Sequence, residues 1–401
     1  MDKHILVIGG FRIMHKILKN YGARMTVMIK AEEVKKNEDK SYHRVVGIPA
    51  DSTVEEWIEM AKCLHKLDPF DGITSFHEMD QENAANVAKA LGLPYHDPHV
   101  IQVTRNKNIM RQILREKGVD LTKNQLVTSK EEIVSFAQEN GYPLIIKPVD
   151  GWGSIGVARI MTEQDLEKAL IWFEKANFGS GMIVEQFLEG KEFSVEAFSE
   201  NGKHVIMCIT EKFKEEKHFV EVGHCVPYKP YEEKIELEIK ELICHALDAL
   251  NITQGPSHTE IMLTANGPRI IETHTRLGGD YIPELIKLVS GVDTLDLWAK
   301  QAYGESVLDQ VPQISKMETS AAIWYVTPPV IGKLEEVQGV EEAKSETGVV
   351  QIEVLQQPGT ELKGMKDSFS RTAYVIATGT DRDDALSNAQ RSADKLLFQV
   401  V

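Results

Sequence analysis

The chain has 401 residues, with 45 lysines and arginines against 61 aspartates and glutamates and a formal net charge of -16. That length supports two or three domains around a sizeable core, and an acidic balance without a basic patch argues against nonspecific nucleic-acid binding. Four scattered cysteines (Cys63, Cys208, Cys225, Cys244) without CxxC spacing fit a reducing cytoplasm, and no apolar run reaches the length of a membrane span.

Taken in order, His4–Gly10 (HILVIGG) reads as a short buried strand entering a Gly-Gly turn, and Arg12–Tyr21 has helical character. Too short an apolar run follows the initiating Met for a signal peptide. Gly9-Gly10 is only a fragment of a dinucleotide fingerprint and reads as a tight turn. Ala23–Ile29 is a second strand, Val54–Leu67 an amphipathic helix and Gly72–Phe76 another strand. Gln81–Leu91 is a helix stopped by Gly92, with Pro94 beyond. This alternation predicts an open, mainly parallel α/β domain over about residues 1–100. His77-Glu78 follows a strand, where open sheets carry ligand contacts, and hints at a substrate site.

Asn106–Lys117 reads as a basic helix whose Lys107 and Arg111 share a face: a solvated surface, or a lysine aimed at phosphate. Glu131–Asn140 is a helix ended by Gly141. Tyr142–Arg159 then runs strand, Lys147-Pro148, Gly151, Gly153, Ser154, Gly156, and a second apolar run from Val157. A glycine-rich turn between strands lets backbone N–H groups approach an anion, and a lysine ending the incoming strand adds charge at the same mouth. The simplest ligand is a polyphosphate, though the segment taken alone also fits an ordinary hairpin. It is not a Walker A loop, because the GKS/GKT ending is absent and a strand follows.

After a helix at Glu163–Lys175, Met182–Phe187 is a buried strand carrying Glu185. Phe193–Phe198 and His204–Thr210 alternate as antiparallel strands about an Asn201-Gly202 turn. The middle of the chain is thus α+β. Lys212–Pro227 is polar and reads as a loop bearing Glu221 and His224. Ile235–Leu250 is a long amphipathic helix. Ser257–Leu263 alternates as a strand, Asn266-Gly267 turns, and Arg269–Glu272 returns. The hairpin lets Glu260 and Glu272 face one cleft, where two repelling carboxylates suit Mg²⁺; exposed strand carboxylates are the alternative. Further on, Glu318–Val326 reads as a strand, Pro328-Pro329 and Gly332 as a turn, and Leu334–Val340 as a short helix. Ala373–Thr378 reads as a strand and Arg382–Leu397 as a helix.

These segments together resemble the ATP-grasp superfamily of carboxylate–amine ligases, most nearly its L-amino-acid ligase branch, over most of the chain. The segments that carry the resemblance are RNKN (105–108), IIKPVDGWGSIGV (145–157), VEQFLEGKEFSVE (184–196), and HTEIML (258–263) with RIIETHTR (269–276). Each is weak alone, but the ordered set is specific. The resemblance implies an ATP-grasp fold divided as an N-terminal parallel α/β domain (1–104), a central lobe (105–180), a catalytic lobe (181–305) and a β-rich C-terminal lobe (306–401).

It also implies roles. Lys107 and Lys147 would contact ATP phosphates, and Gly151, Gly153, Ser154 and Gly156 would close over them. Glu185, with the backbone near Phe187 and Leu188, would hold adenine, and Glu192 the ribose. Glu260 and Glu272 would hold Mg²⁺, with Mn²⁺ as a substitute, and Arg276 would stabilise the transferring phosphoryl group. Glu221 and His224, matching an EVGH segment, would recognise the amine, and Gly278-Gly279-Asp280 would shape the pocket for the activated carboxylate. Many members have ENxR at the second metal carboxylate; here the sequence is Glu272-Thr273-His274-Thr275-Arg276, so the asparagine ligand is missing. The implied activity joins one L-amino acid to another through an acyl phosphate. A carrier-protein or amino-sugar acceptor, and a non-catalytic nucleotide-binding regulator, remain alternatives. The implied assembly is a homodimer, without nucleic-acid or membrane partners.

Overall fold

The computed structural model describes every residue except 1, 36–37, 152, 154, 176–180, 216–218, 229–232 and 329–330, and describes the backbone alone at 38–39 and 172–175. The chain opens with β1 (His4–Ile8), α1 (Arg12–Asn20), β2 (Arg24–Lys30), β3 (Arg44–Ile48), α2 (Val54–Leu67), β4 (Gly72–Thr74) and α3 (Gln81–Leu91). The strands form one sheet in the order β3-β2-β1-β4, and all three of its pairings are parallel. All five residues of β1 are buried, as a strand covered on both faces requires. Thr53 starts α2 with a reciprocal capping box to Glu56. Gly92 ends α3 at φ 69°, a left-handed conformation that glycine adopts without a Cβ clash. The strand β3 left no sequence signal, since its burial is only partial.

Two helices, α4 (Pro98–Arg105) and α5 (Lys107–Glu116), lead into a small antiparallel sheet. It contains β5 (Asn124–Val127), β6 (Leu144–Pro148), β7 (Ala158–Ile160) and β8 (Met182–Gln186), in the order β5-β8-β6-β7, with α6 (Lys130–Asn140) and α7 (Leu166–Lys175) on one side. Ile133, Phe136, Leu144, Ile146, Ile160 and Val184 fill the layer between the sheet and its helices.

The next part of the chain holds β9 (Lys191–Glu200), β10 (Lys203–Lys214), β11 (Glu221–Val226), α8 (Glu233–Ala249), β12 (Gly255–Thr264), β13 (Gly267–His274), α9 (Ile282–Ser290) and α10 (Thr294–Ala302). The turn between β9 and β10 uses Asn201 (φ 52°) and Gly202 (φ 73°), the left-handed pair a two-residue hairpin needs. The segment 212–227, read above as a loop, is instead the end of β10 and all of β11. Its lysines and glutamates misled the reading: their charges are paired inside the fold, so polarity did not mean exposure.

The last part contributes β14 (Ser320–Val326), β15 (Gly332–Gln338), α11 (Val340–Lys344), β16 (Val349–Val354), β17 (Glu361–Leu362), β18 (Ala373–Gly379), α12 (Arg382–Ala393) and β19 (Leu397–Val400). The span Leu334–Val340, expected as a helix, is mostly the strand β15, and the helix begins only at Val340. Strands β14, β18 and β16 extend the sheet begun by β9–β13, giving eight strands in the order β13-β12-β9-β10-β11-β14-β18-β16, every neighbouring pair antiparallel. A second sheet, β17-β15-β19, closes the chain.

The alternation along β9, β10 and β12 decides where chemistry can sit. Phe193, Val195, Ile209 and Ile261 point one way and pack with Ile239, Ile243, Ala246 and Leu247 of α8. Each of these eight side chains is fully buried, and burying one such aliphatic group is worth about 1.5–3 kcal/mol. The opposite face therefore inherits the polar residues: Glu192, Ser194 and Glu196 lie across from Met262, Glu260 and His258. His274 and Glu272 lie across from His258 and Glu260 on the other side.

Candidate active site

The polar face of the long sheet and the end of the small sheet bound a cavity of about 790 Å³. One wall is Lys147 and Pro148 at the end of β6, with Gly151 and Gly153 beyond. A second is the connection Gln186–Gly190 between β8 and β9. A third is Glu192, Lys212, Lys214, Glu260, Met262 and Glu272 on the long sheet. Ile145, Phe187, Leu188, Phe219, Val222 and Ile271 make the rest largely apolar, as suits a flat ring with a charged tail.

The expected metal carboxylates meet. Glu260 on β12 is the register partner of Glu272 on β13. A bulge follows, because Ile261 pairs with Ile270 and leaves Ile271 over, so Ile271 faces the cavity. Glu272 lies 2.7 Å from Lys107 Nζ, and the same ammonium donates to the Gly151 carbonyl at 2.8 Å. One lysine thus ties the carboxylate to the glycine-rich segment. Glu260 lies 2.5 Å from Lys212 Nζ, which also reaches Glu221 at 2.9 Å and Glu192 at 3.2 Å. Lys214 pairs with Glu192 at 2.6 Å. Burial would raise both Glu260 and Glu272, but Lys212 and Lys107 respectively overcome it and hold each carboxyl well below the ordinary range. Burial likewise opposes the charge on Lys212, and Glu221, Glu260 and Glu192 outweigh it, leaving the ammonium raised well above its usual value.

Could these residues hold a divalent cation? Oxygen atoms of Glu192, Glu221 and Glu260 lie within 4.8 Å of one another, the spacing of a shared ligand set, and Glu272 adds hard oxygen donors opposite Glu260. The charge now balancing them comes from lysines, which a doubly charged ion could replace. The donor set fits Mg²⁺.

Glu185, expected at the adenine, lines the cavity with its carboxylate taken up by two cations. It is 2 % exposed and accepts from Arg111 Nε at 2.8 Å, with Lys147 Nζ at 2.5 Å. Burial would raise its carboxyl, but Arg111 and Lys147 bring it down to about 2. Burial also lowers Lys147 from the usual lysine value, with Arg111 and Lys107 adding to the effect against Glu185. Glu185 therefore orients Lys147 from behind. Phe187 and Leu188 line the cavity as the sequence placed them, with Arg159 5.4 Å over the Phe187 ring. Gly153 has φ 61° and Gly156 φ 77°, both left-handed. Ser154, expected to close over phosphate, lies outside the described residues.

The residues expected to meet an amino acid form a second group, beyond the cavity lining. Arg276 Nε donates to Glu78 at 2.6 Å, and the other oxygen of Glu78 lies 2.6 Å from His274 Nδ1. His274 Nε2 is 3.2 Å from Glu272. Glu78, the weak hint after β4, is thus brought from the N-terminal domain onto Arg276. Gly278 approaches Glu196 and His258 so closely that a Cβ would sit 3.0 Å from each, whereas Gly279 opens onto free space. His258 Nδ1 pairs with Glu196 at 2.7 Å; burial opposes a proton there, but Glu196 and Glu260 raise the imidazole to about 9. His224 reaches Asp280 at 3.4 Å. Burial alone would raise the Asp280 carboxyl, and hydrogen bonds from His224 and Arg371 depress it instead.

Sequence reasoning missed Lys212, Lys214, Arg111's pairing and Arg371. The first two were visible as Lys-Phe-Lys continuing the period-2 pattern of β10, a strand signal hidden by its charge. The other two depend on segments far apart in the chain and left no local trace.

Comparisons with known proteins agree with this geometry. The family model for the ATP-grasp domain matches residues 140–284, and that for the L-amino acid ligase C-terminal domain 2 matches residues 324–401. The uncharacterized protein y4rH of Sinorhizobium fredii is 28% identical over 364 residues, covering 89% of this chain and 73% of that protein. The alanine–anticapsin ligase of Bacillus subtilis is 28% identical over 297 residues, which is 66% of this chain and 61% of that longer protein. The crystal structure of an L-amino acid ligase from Bacillus licheniformis superposes with a TM-score of 0.83 at 23% identity, over 100% of this chain and 99% of that one. A cavity walled by lysines, a glycine-rich turn and facing glutamates, on a chain matched by both family models in that order, identifies residues 140–284 as an ATP-grasp domain and residues 324–401 as a C-terminal domain of the L-amino acid ligase type.

Proposed function

We propose that the protein is an ATP-dependent carbon–nitrogen ligase that joins the carboxyl group of one L-amino acid to the amine of another, releasing ADP and phosphate. The observation that carries this reading is the facing pair Glu260 and Glu272, each neutralised by a lysine at the mouth of a nucleotide-sized cavity. The relatives named as ligases support the same chemistry, and the C-terminal domain match supports an amino-acid acceptor.

A carboxylate is a poor electrophile. Transfer of the γ-phosphoryl group from ATP to a carboxylate oxygen gives an acyl phosphate and ADP. The amine nitrogen then attacks the acyl carbon, phosphate leaves, and the amine proton is lost. Glu260 and Glu272 would hold Mg²⁺, which would neutralise charge at the phosphates. Lys107 and Lys147 bind the phosphate chain; Lys147 arrives already oriented by Glu185. The Gln186–Leu188 connection takes the adenine, and Glu192 the ribose. Gly151, Gly153, Ser154 and Gly156 close over the phosphates and exclude the water that would hydrolyse an acyl phosphate. Arg276, aimed by Glu78, meets the transferring phosphoryl group and the oxyanion that follows. Glu221 and His224 recognise the amine, and Gly278 and Gly279 receive the activated amino acid. The segments 1–104, 105–180, 181–305 and 306–401 act as four working parts, and the protein works in the cytoplasm as a homodimer.

Phosphate release from Mg-ATP, measured across a matrix of paired L-amino acids with single amino acids as controls, tests the proposal. Release that requires particular pairs, with the dipeptide seen by mass spectrometry, is the expected result. Silence for every pair overturns it.

A further inference from the structure

The turn after Arg276 is held in an unusual shape. Asp280 and Tyr281 are consecutive and both left-handed, with φ 50° and 63°. Bulky residues adopt that conformation only when their surroundings enforce it. No side chain caps the helix α9 that starts here, although Ile282 N donates to the Gly279 carbonyl at 3.0 Å. The enforcement comes from 91 residues away. Arg371 donates two parallel hydrogen bonds to the Asp280 carboxylate, at 2.7 and 2.9 Å. Its guanidinium is itself fixed on three sides. Its Nε donates to the Ser368 carbonyl at 2.7 Å, its plane lies 3.8 Å over the Tyr325 ring, and the residue is only 7% exposed. Tyr281 is held in turn by Tyr374 of β18, with ring centroids 4.5 Å apart.

Resting on the ligase reading above, we propose that Arg371 is a positioning residue for the amino-acid site, by which the C-terminal lobe sets the shape of the Gly278–Tyr281 turn. Two consequences of the geometry carry this. Gly278 is wedged against Glu196 and His258 while Gly279 leaves its face open, so a small rotation at Asp280 moves the open face relative to Arg276. Asp280 also meets His224, so the same carboxylate sets the ring on β11. A planar fork gripping one carboxylate through two bonds fixes orientation as well as distance, which a lysine's single point charge does not. Neither Arg371 nor Asp280 lines the nucleotide cavity, so the device acts on one substrate and not on the other.

The test compares wild type with Arg371→Gln and, should that variant fold poorly, Arg371→Lys, which keeps the charge and loses the fork. Three readouts are taken: nucleotide affinity by calorimetry with ADP, amide exchange across residues 277–283, and KM for each amino acid in phosphate release. The expected result is faster exchange in that turn, ADP affinity within about twofold of wild type, and a KM for at least one amino acid raised about tenfold or more. Unchanged exchange and unchanged KM overturn the proposal. Equal losses in ADP affinity and amino-acid KM also overturn it, since they mark a general structural role. A wild type that binds ADP yet releases phosphate with no amino-acid pair sinks the ligase reading and, with it, the assignment of this turn to an amino acid. An active wild type with an unaffected Arg371 variant sinks only the inference.

Discussion

Single residues carry opposite burdens at this site. Glu272 lies against Lys107 and Arg276 against Glu78, where the proposed reaction needs charge, whereas Lys212 holds three carboxylates together. Glu272→Gln keeps the shape of the side chain and removes its charge. Turnover should fall by about a thousandfold or more while the variant remains folded, with an unfolding midpoint lowered by the loss of the Lys107 pair. Arg276→Ala should behave the same way, and near-normal phosphate release in either variant would contradict the site. Lys212→Met has a different signature. Removing one partner of a buried ion pair costs about 3–5 kcal/mol, because the others are left uncompensated. The variant should melt well below wild type in EDTA and should recover more than wild type does on adding Mg²⁺, as scanning calorimetry would detect. An equal response to Mg²⁺ in both proteins would show that these carboxylates hold no metal.

At the scale of elements, the connection between β8 and β9 packs backbone on backbone against β12. Gly190 has φ 159°, and a Cβ there would sit 2.2 Å from the carbonyl oxygen of Leu263 on β12. That contact cannot be relieved by a side-chain rotation. Gly190→Ala should therefore shift the Gln186–Gly190 connection and raise the KM for ATP, with a smaller effect on the KM for amino acids. Steady-state kinetics with each substrate varied in turn would separate the two, and an ATP KM equal to that of wild type would refute the placing of adenine at this connection. Most of these elements were legible from the sequence. The helix Val54–Leu67, the Asn201-Gly202 turn and the hairpin bearing Glu260 and Glu272 each rest on a local signal: period, cap or turn chemistry. The ones misread share a cause. β11 and the end of β10 are strands whose charges are neutralised by neighbours in space, and β15 is paired by β17 and β19, segments too short or too late in the chain to announce themselves.

At the scale of the whole molecule, a buried histidine packs against the start of β12. His96 is 8% exposed, its Nδ1 has no partner, and its ring adjoins Gly255 at the start of β12. Burial pushes its imidazole down to about 4 from the usual 6.5. A folded-state value below the unfolded one means that the unfolded chain binds the extra proton first. The contribution is then complete above pH 6.5 and is lost progressively as pH falls toward 4, by about 3 kcal/mol in all. Urea unfolding from pH 7 to 4.5 should show stability falling on acidification, and His96→Gln should flatten that slope. A slope unchanged in the variant would place the effect elsewhere. Among the described residues no helix is long and apolar enough to cross a membrane.

The sequence by itself determined the ATP-grasp resemblance, the order of its motifs and the identities of the lysines, glutamates and glycines around the cavity, because each is written in a short stretch with its own period or turn. The tertiary structure alone decided which charges meet. Lys212 joins Glu192, Glu221 and Glu260, Glu78 crosses from the first domain to Arg276, and Arg371 reaches back to Asp280. Such pairings join residues tens to hundreds of positions apart, and electrostatic strength depends on distance and burial, neither of which a linear pattern records.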